Sequence, residues 1–280
     1  MKLTFLGTGG SEGYPALFCN CPRCCTARRL SGRSVRRRSS LLVNDDLLID
    51  LGPDVPSAAQ QLGIGLHNVR HVLITHLHDD HFLPITLRYR TRRKGIDPPL
   101  LTVYGSQPTI AKLATIPFSF DDIRIQAQVV QAGQCFQAGG YSIVAIPANH
   151  APDVEPLLYA VFEDGPGVLY ATDTAAFLEQ TWQALTPLRL QAAVLNCAMG
   201  ERSDSDEDRL HMTRQETVDH AARLRERGIL ISGGIALGIH FSHRSQPDHD
   251  TLRALLMPEG IVPAYDGLQL DLQSTTFARR

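Results

Sequence analysis

The chain has 280 residues, 43% of them hydrophobic and 20% charged, with a formal net charge of −2. That balance describes an ordinary globular protein with ample core-forming side chains, and it gives no global electrostatic case for nucleic acid or a membrane surface. The opening Met1-Lys2-Leu3-Thr4-Phe5-Leu6-Gly7 is too short an apolar run for a signal peptide, and no stretch approaches the roughly 18 apolar residues of a membrane span. The expectation is a cytoplasmic protein with no membrane partner, whose six cysteines act as thiols or metal ligands before disulfides.

In chain order, residues 3–6 form the first strand candidate. Phe18-Cys19-Asn20-Cys21-Pro22-Arg23-Cys24-Cys25 follows, with the spacing Cys-x-Cys-x-x-Cys. Three thiolates on one turn need a fourth ligand to close a tetrahedral zinc site, and His243, three residues after His240, is the candidate. Redox or catalytic thiols and buried free cysteines are the competing possibilities. Cys25 is then a spare ligand, while Cys135 and Cys197 are isolated and read as core residues. A basic stretch runs from Arg28-Arg29 to Arg36-Arg37-Arg38, and strands at 41–43 and 47–49 flank Asn44-Asp45-Asp46, a hairpin signal.

The apolar run ending His71-Val72-Leu73-Ile74-Thr75 predicts a buried strand over 72–74, and it opens into His76-Leu77-His78-Asp79-Asp80-His81. Side chains leaving a strand on a tight loop converge, and three imidazoles with one carboxylate suit a borderline divalent metal such as zinc or manganese. A polar loop with incidental histidines is the bland alternative, against which the density of ligand-type residues argues. A second basic stretch, Arg88-Tyr89-Arg90-Thr91-Arg92-Arg93-Lys94, places Arg88 and Arg92 at helical i,i+4 spacing. Most of these cations read as a solvated face, with a few available to a distant phosphate.

Further strands are predicted at 101–104, 142–146, 157–162, 168–171, 193–195, 235–239 and 268–270, and helices at 107–114 and 175–185. The clearest helix begins at Thr213, where Thr213-Arg214-Gln215-Glu216 is a capping box and Gly228 supplies the stop. His150, Asp173 and His240 each close a predicted strand. Singly they are ordinary loop residues, and Asp173 could cap the following helix. His211 precedes the capped helix, where an imidazole suits proton transfer near neutral pH. His67, His71, His220 and His249 have no supporting pattern and read as structural or exposed. No repeat, low-complexity tract or strong linker interrupts the chain, which favours one sandwich-like domain.

The His-x-His-x-Asp-His pattern resembles the signature of the metallo-β-lactamase superfamily. The resemblance implies an α/β fold, an αββα sandwich over 1–280, with an N-terminal zinc-binding cysteine loop near 19–25. It also implies a dinuclear centre, with His76, His78 and His150 on one divalent ion, Asp80, His81 and His240 on the other, and Asp173 bridging. The metals would be manganese or zinc, beside a structural zinc on Cys19, Cys21, Cys24 and His243. Many members carry a glycine shortly after the last histidine of the motif, where Phe82-Leu83-Pro84-Ile85 stands here.

Other blocks narrow the resemblance. Gly7-Thr8-Gly9-Gly10-Ser11-Glu12-Gly13-Tyr14-Pro15, the cysteine cluster, Arg38-Ser39-Ser40, Thr172-Asp173-Thr174-Ala175, His240-Phe241-Ser242-His243 and Tyr265-Asp266-Gly267-Leu268 together look like the PhnP-type phosphodiesterases. Those enzymes open 5-phosphoribosyl 1,2-cyclic phosphate. Gly238-Ile239-His240 and Asn196-Cys197 depart from that family's Leu-Thr-His and Asp-Cys. The PqqB-type proteins share the cysteine-rich N-terminus but have a degenerate metal signature, which is intact here.

The implied activity is metal-dependent hydrolysis of a small cyclic phosphodiester, a phosphoribosyl cyclic phosphate or a related compound. A dimetal-bound hydroxide would attack, with Asp80 on the metal and His211 as general acid. The alternatives are a tRNA-3′-processing-type nuclease and a non-catalytic metal-binding accessory protein of PqqB type. The expected partner is a small-molecule phosphodiester and not nucleic acid. The oligomeric state is open, a homodimer among the options.

Overall fold

The structure, a computed structural model, describes residues 1–90, 97–201 and 210–272. Its N-terminal half supplies β1 (Lys2–Gly7), α1 (Pro22–Leu30), β2 (Ser40–Val43), β3 (Leu47–Ile49), α2 (Val55–Leu62), β4 (His71–Leu73), β5 (Leu101–Gly105), α3 (Gln107–Leu113) and β6 (Ile125–Val129). Next come β7 (Cys135–Ala138), β8 (Tyr141–Pro147), β9 (Leu157–Phe162), β10 (Gly167–Ala171), α4 (Glu179–Leu185) and β11 (Leu190–Asn196). The last elements are α5 (Arg214–Glu226), β12 (Leu230–Ile239), α6 (His249–Leu256), β13 (Ile261–Pro263) and β14 (Gln269–Asp271).

Side-chain alternation along these strands builds the layers, since successive residues face opposite sides of a sheet. Leu41 and Val43 of β2 join Val168 and Tyr170 of β10 in the cluster between the sheets. Leu42 instead packs outward with Val55 and Ala58 of α2, and Leu169 outward with Trp182 of α4 and Leu224 of α5. Two sheets with helices outside each make an αββα sandwich. The sheet orders are β14-β1-β2-β3-β4-β5-β6 and β13-β12-β11-β10-β9-β8-β7. Within the first sheet β3 to β6 run parallel; within the second, β10 to β13 do. Parallel strands point their C-terminal ends the same way, and at such an edge an open α/β sheet gathers its functional side chains.

The Asn44-Asp45-Asp46 turn joins β2 to β3 as read, with Val43 opposite Leu47 and Asn44 at φ 50°. The capping box also forms: Thr213 Oγ1 accepts from Glu216 N, and the Glu216 carboxylate accepts from Thr213 N. Four expectations need correction. The helix expected over 175–185 starts only at Glu179, because the preceding backbone is engaged by Asn149, whose carbonyl accepts from Ala175 N at 2.7 Å and whose amide donates to Ala176 O at 2.8 Å. The last strand is displaced to Gln269–Asp271, since Leu268 N closes a turn onto Tyr265 O. The cysteine segment is not wholly a loop: with Pro22 in the first turn and Cys21 as N-cap, Cys24 and Cys25 lie in α1. Cys135 is exposed on edge strand β7 and is no core residue, whereas Cys197 is buried. Arg92 of the second basic stretch lies outside the described residues, and Arg88 stands 5.8 Å from the Phe118 ring.

Candidate metal centre

The loop after β4 is held by its own turn and by α3. His81 N and Phe82 N both donate to His78 O, while Lys112 Nζ donates to Leu77 O, Asp79 Oδ1 and Phe82 O within 2.8 Å. Gly52 makes room for the loop, because a Cβ there would stand 2.0 Å from Asp80 O. Phe82, directly after the motif, is buried and packs in the outer core with residues of α2 and α3. The motif's side chains are thereby turned toward the ends of β8, β10 and β12.

At that edge two groups of ligand-type residues form, His76, His78, His150 and Asp173 in one and Asp80, His81, Asp173 and His240 in the other, the ligand atoms within each group lying within 4.8 Å of one another. In the first, His76 Nε2 is 2.9 Å from His78 Nδ1, and His150 Nε2 is 3.4 Å from the same atom. Asp173 Oδ2 lies 3.6 Å from His76 Nε2 and 3.7 Å from His150 Nε2. Ligands bound about 2.0–2.1 Å from a tetrahedral zinc stand about 3.3 Å apart, so the spacing suits one ion. Asp173 also puts Oδ2 3.3 Å from His81 Nε2 and Oδ1 2.6 Å from His240 Nδ1, and Asp80 Oδ2 is 3.2 Å from His81 Nε2. Asp173 alone belongs to both groups.

Supporting hydrogen bonds fix which imidazole nitrogen faces inward. His81 Nδ1 donates to Asp50 Oδ2 at 2.7 Å, and Asp50 also accepts from Thr75 N. His150 Nδ1 donates to Leu210 O at 3.0 Å, and Thr75 Oγ1 sits 3.1 Å from His76 Nδ1. Each arrangement leaves Nε2 toward the cluster. Sequence reasoning missed Asp50, although it closes β3 in the manner that singled out Asp173. Asp50 and His240 hold φ values of 63° and 64°, a left-handed conformation that costs a non-glycine residue of order 1–3 kcal/mol and is tolerated where function fixes the backbone.

The electrostatics ask for cations. Burial opposes charge on His81, yet Asp173, Asp80 and Asp50 crowd it and hold its pKa well above the usual 6.5. Its buried Nε2 still lacks a well-directed hydrogen bond among the described residues. His76 is pushed well below 6.5 by burial and by His81, which leaves its inward lone pair free. Burial raises Asp173, but His240 and His81 outweigh it and keep the carboxylate ionised. An orphaned imidazole nitrogen, inward lone pairs and a shared carboxylate fit divalent metal ions.

His211 closes one side of the cluster, its ring 5.1 Å from those of His150 and His240 and nearly parallel to the latter. Asn196, at the end of β11, governs it. Asn196 Oδ1 accepts from Ala198 N and Met212 N, both at 3.1 Å, which turns the amide nitrogen toward His211 Nδ1 at 3.4 Å. His211 Nδ1 is therefore an acceptor, and the ring proton sits on Nε2. Burial holds its pKa down to about 4.

Away from this edge, Cys19, Cys21, Cys24 and His243 bring one ligand atom each within 4.8 Å of the others. Cys21 caps α1, and the Cys24 N–H at its sulfur lowers its pKa to about 6, while burial raises Cys24 to about 12. His243 puts Nδ1 3.3 Å from Cys24 Sγ and donates from Nε2 to Glu12 Oε2 at 2.6 Å. Three sulfurs and an imidazole oriented by a carboxylate fit a structural zinc. Cys25 is exposed and donates to Asn20 O, apart from the group. His71, His220 and His249 hydrogen-bond Tyr104, Phe177 and Arg36, roles within the fold.

Residues 46–241 match the family model of the β-lactamase superfamily domain. The chain belongs to that superfamily. Its fold is shared with a diphosphatase of the PhnP family (TM-score 0.76, 24% identity, covering 96% of this chain and 97% of that one). The zinc-bound PqqB of Methylobacterium extorquens is similar at TM-score 0.71 and 18% identity, covering 97% of this chain and 100% of that one. In sequence the chain is 29% identical over 182 residues to a ribonuclease BN from Erwinia tasmaniensis, covering 63% of this chain and 54% of that protein. It spans about half the length of the curated ribonucleases it matches. Members of the superfamily are metal-dependent hydrolases, and among the described residues no helix is long and apolar enough to cross a membrane.

Proposed function

We propose that the protein is a metal-dependent phosphodiesterase acting on a small cyclic phosphodiester, a phosphoribosyl cyclic phosphate or a close relative. The observation that carries this is Asp173, whose two oxygens reach two histidines of each group, His76 and His150 in the first and His81 and His240 in the second. Divalent cations bound there would supply an activated water near neutral pH and a clamp on a phosphoryl oxygen. His76, His78 and His150 would hold one ion; Asp80, His81 and His240 the second; Asp173 both.

The chain's own groups account for the rest. Asp50, Thr75 and the Leu210 carbonyl turn the Nε2 of His81, His76 and His150 toward the ions that would bind there. His211 presents Nε2–H at the rim, where it donates a hydrogen bond to the leaving oxygen of a bound diester. Transfer of that proton to the leaving oxygen starts from the doubly protonated ring and leaves neutral imidazole; the phosphate's negative charge beside the ring would favour that form, and the Asn196 amide at Nδ1 opposes it. The cysteine group is structural and supplies no reacting atom.

A second function, cleavage of an RNA 3′ end, draws support from the ribonucleases among the sequence relatives. Metal-loaded protein assayed against bis(p-nitrophenyl) phosphate, 2′,3′-cyclic nucleotides and a tRNA precursor separates the two. Turnover of the first two alone supports the small-molecule enzyme, preference for the precursor supports the nuclease, and no turnover of any rejects both.

A further inference from the structure

Between the histidine and cysteine groups lies a cavity of about 160 Å³, its walls including Gly10, Ser11, His211, His240, Ser242 and Arg244. Arg244 follows His243, and one carboxylate ties the two together. Glu12 Oε2 accepts from His243 Nε2 at 2.6 Å and from Arg244 Nε at 3.0 Å. The Arg244 backbone is fixed as well, its N–H donating to Ser242 Oγ at 3.2 Å and its carbonyl accepting from Arg23 Nη1 at 2.9 Å.

This way of holding an arginine leaves a specific edge for a ligand. A structural Arg–carboxylate pair commonly engages two guanidinium nitrogens in parallel. Here Glu12 takes only Nε, and among the described residues neither terminal nitrogen is recorded in a hydrogen bond. The side chain keeps 72% of its accessibility. Between Glu12 and Asp45 the sequence contains seven arginines and neither aspartate nor glutamate, two of the seven, Arg37 and Arg38, being paired with Asp266 and Asp54. A planar fork with its stem braced beside His211 and His240 matches the bidentate geometry of a phosphate.

We propose that Arg244, braced by Glu12, is a positioning residue that binds a second anionic group, a phosphomonoester, on the substrate whose diester lies at the histidine and aspartate cluster. The inference rests on the phosphodiesterase reading and goes further by assigning the far end of the substrate. The cysteine group then has a purpose beyond stability, since His243 and Glu12 set the direction of the arginine.

The test is calorimetric binding of ribose 1,5-bisphosphate and of inorganic phosphate to full-length, metal-loaded protein, with metal content and melting temperature recorded for each variant. Arg244→Ala should weaken the bisphosphate at least tenfold more than it weakens inorganic phosphate, and Arg244→Lys, which keeps the charge but loses the fork, should fall between. Equal losses on both ligands, or no loss, would overturn the proposal. If the alanine variant does not fold, Arg244→Lys decides alone, and wild-type preference for the bisphosphate in that variant overturns the proposal. Wild-type turnover of bis(p-nitrophenyl) phosphate is read separately. Its absence would reject the phosphodiesterase assignment, whereas a wild type that turns over but binds both ligands alike would reject only the role of Arg244.

Discussion

His81 and Asp50 show what one residue contributes that its neighbours cannot. His81 stands in a motif readable in six consecutive letters, but the group that sets its tautomer lies 31 residues earlier, at the end of another strand. Asp50→Asn keeps the shape and replaces the accepting carboxylate with a weaker acceptor. It should weaken metal binding at the second group about 10–100-fold, as seen when outer partners of metal-bound histidines are removed. Competition with a metallochromic chelator reads this directly, and unchanged affinity would mean that packing alone orients the ring. At His211, alanine should reduce cleavage of an alkyl or ribosyl diester about 10²–10⁴-fold while p-nitrophenyl ester cleavage, whose leaving group departs without a proton, falls much less. Asn196→Asp should move that ratio the other way, since a carboxylate accepts the Nδ1 proton that the amide now excludes. Equal effects on both esters would make His211 a phosphate-positioning group. His249 offers a pH test outside the cluster. Burial and then Arg36 lower its pKa from 6.5 to about 4, so the unfolded chain takes up a proton in a range where the folded chain does not. Its contribution is present above pH 6.5 and is lost as pH falls toward 4. Melting temperatures of His249→Gln against wild type across that window should show a shallower fall for the variant; identical slopes would reject the assignment.

Among elements, those with local punctuation were legible and those formed by packing were not. The Thr213 capping box and the Asn44-Asp45-Asp46 turn are short-range chemistry and formed where read. Helix α1 was hidden because its cysteines suggested a loop; the usable signal was Pro22 directly after a capping Cys21. Helix α6 had a comparable signal in Asp248, whose side chain accepts from Asp250 N and Thr251 N. Edge strand β7 escaped notice because its exposed residues have no apolar run to mark them. If α1 is pinned by metal at its N-terminus, Cys21→Ser should remove one zinc equivalent and lower the melting temperature, yet folded variant should retain turnover. Full metal content measured by mass spectrometry in that variant would show that Cys21 is not a ligand.

At the scale of the molecule, the cluster exists because two sheets bring strand ends from across the chain to one edge. His76, His78, Asp80 and His81 were nameable from one loop, and His150, Asp173 and His240 from a shared context at strand ends together with a resemblance. What the sequence could not display was the contact between distant loops, such as Glu12 to His243 across 231 residues, or the turn of the Asn196 amide toward His211. The large groove of about 1060 Å³ lined by Leu48, Val55 and Arg70 lies on the outer face of the first sheet and shares no residue with the cluster, so cavity size alone would have misdirected the search. Everything proposed for catalysis depends on one carboxylate serving two metal sites. The most direct measurement is therefore the hydrolysis of bis(p-nitrophenyl) phosphate by wild type and Asp173→Ala as metal is titrated to saturation, with bound metal counted at each step. Wild type should reach full rate with two equivalents beyond the cysteine-bound zinc, and the variant should bind fewer and lose nearly all turnover. Near-normal turnover by Asp173→Ala at saturating metal would contradict the dinuclear account.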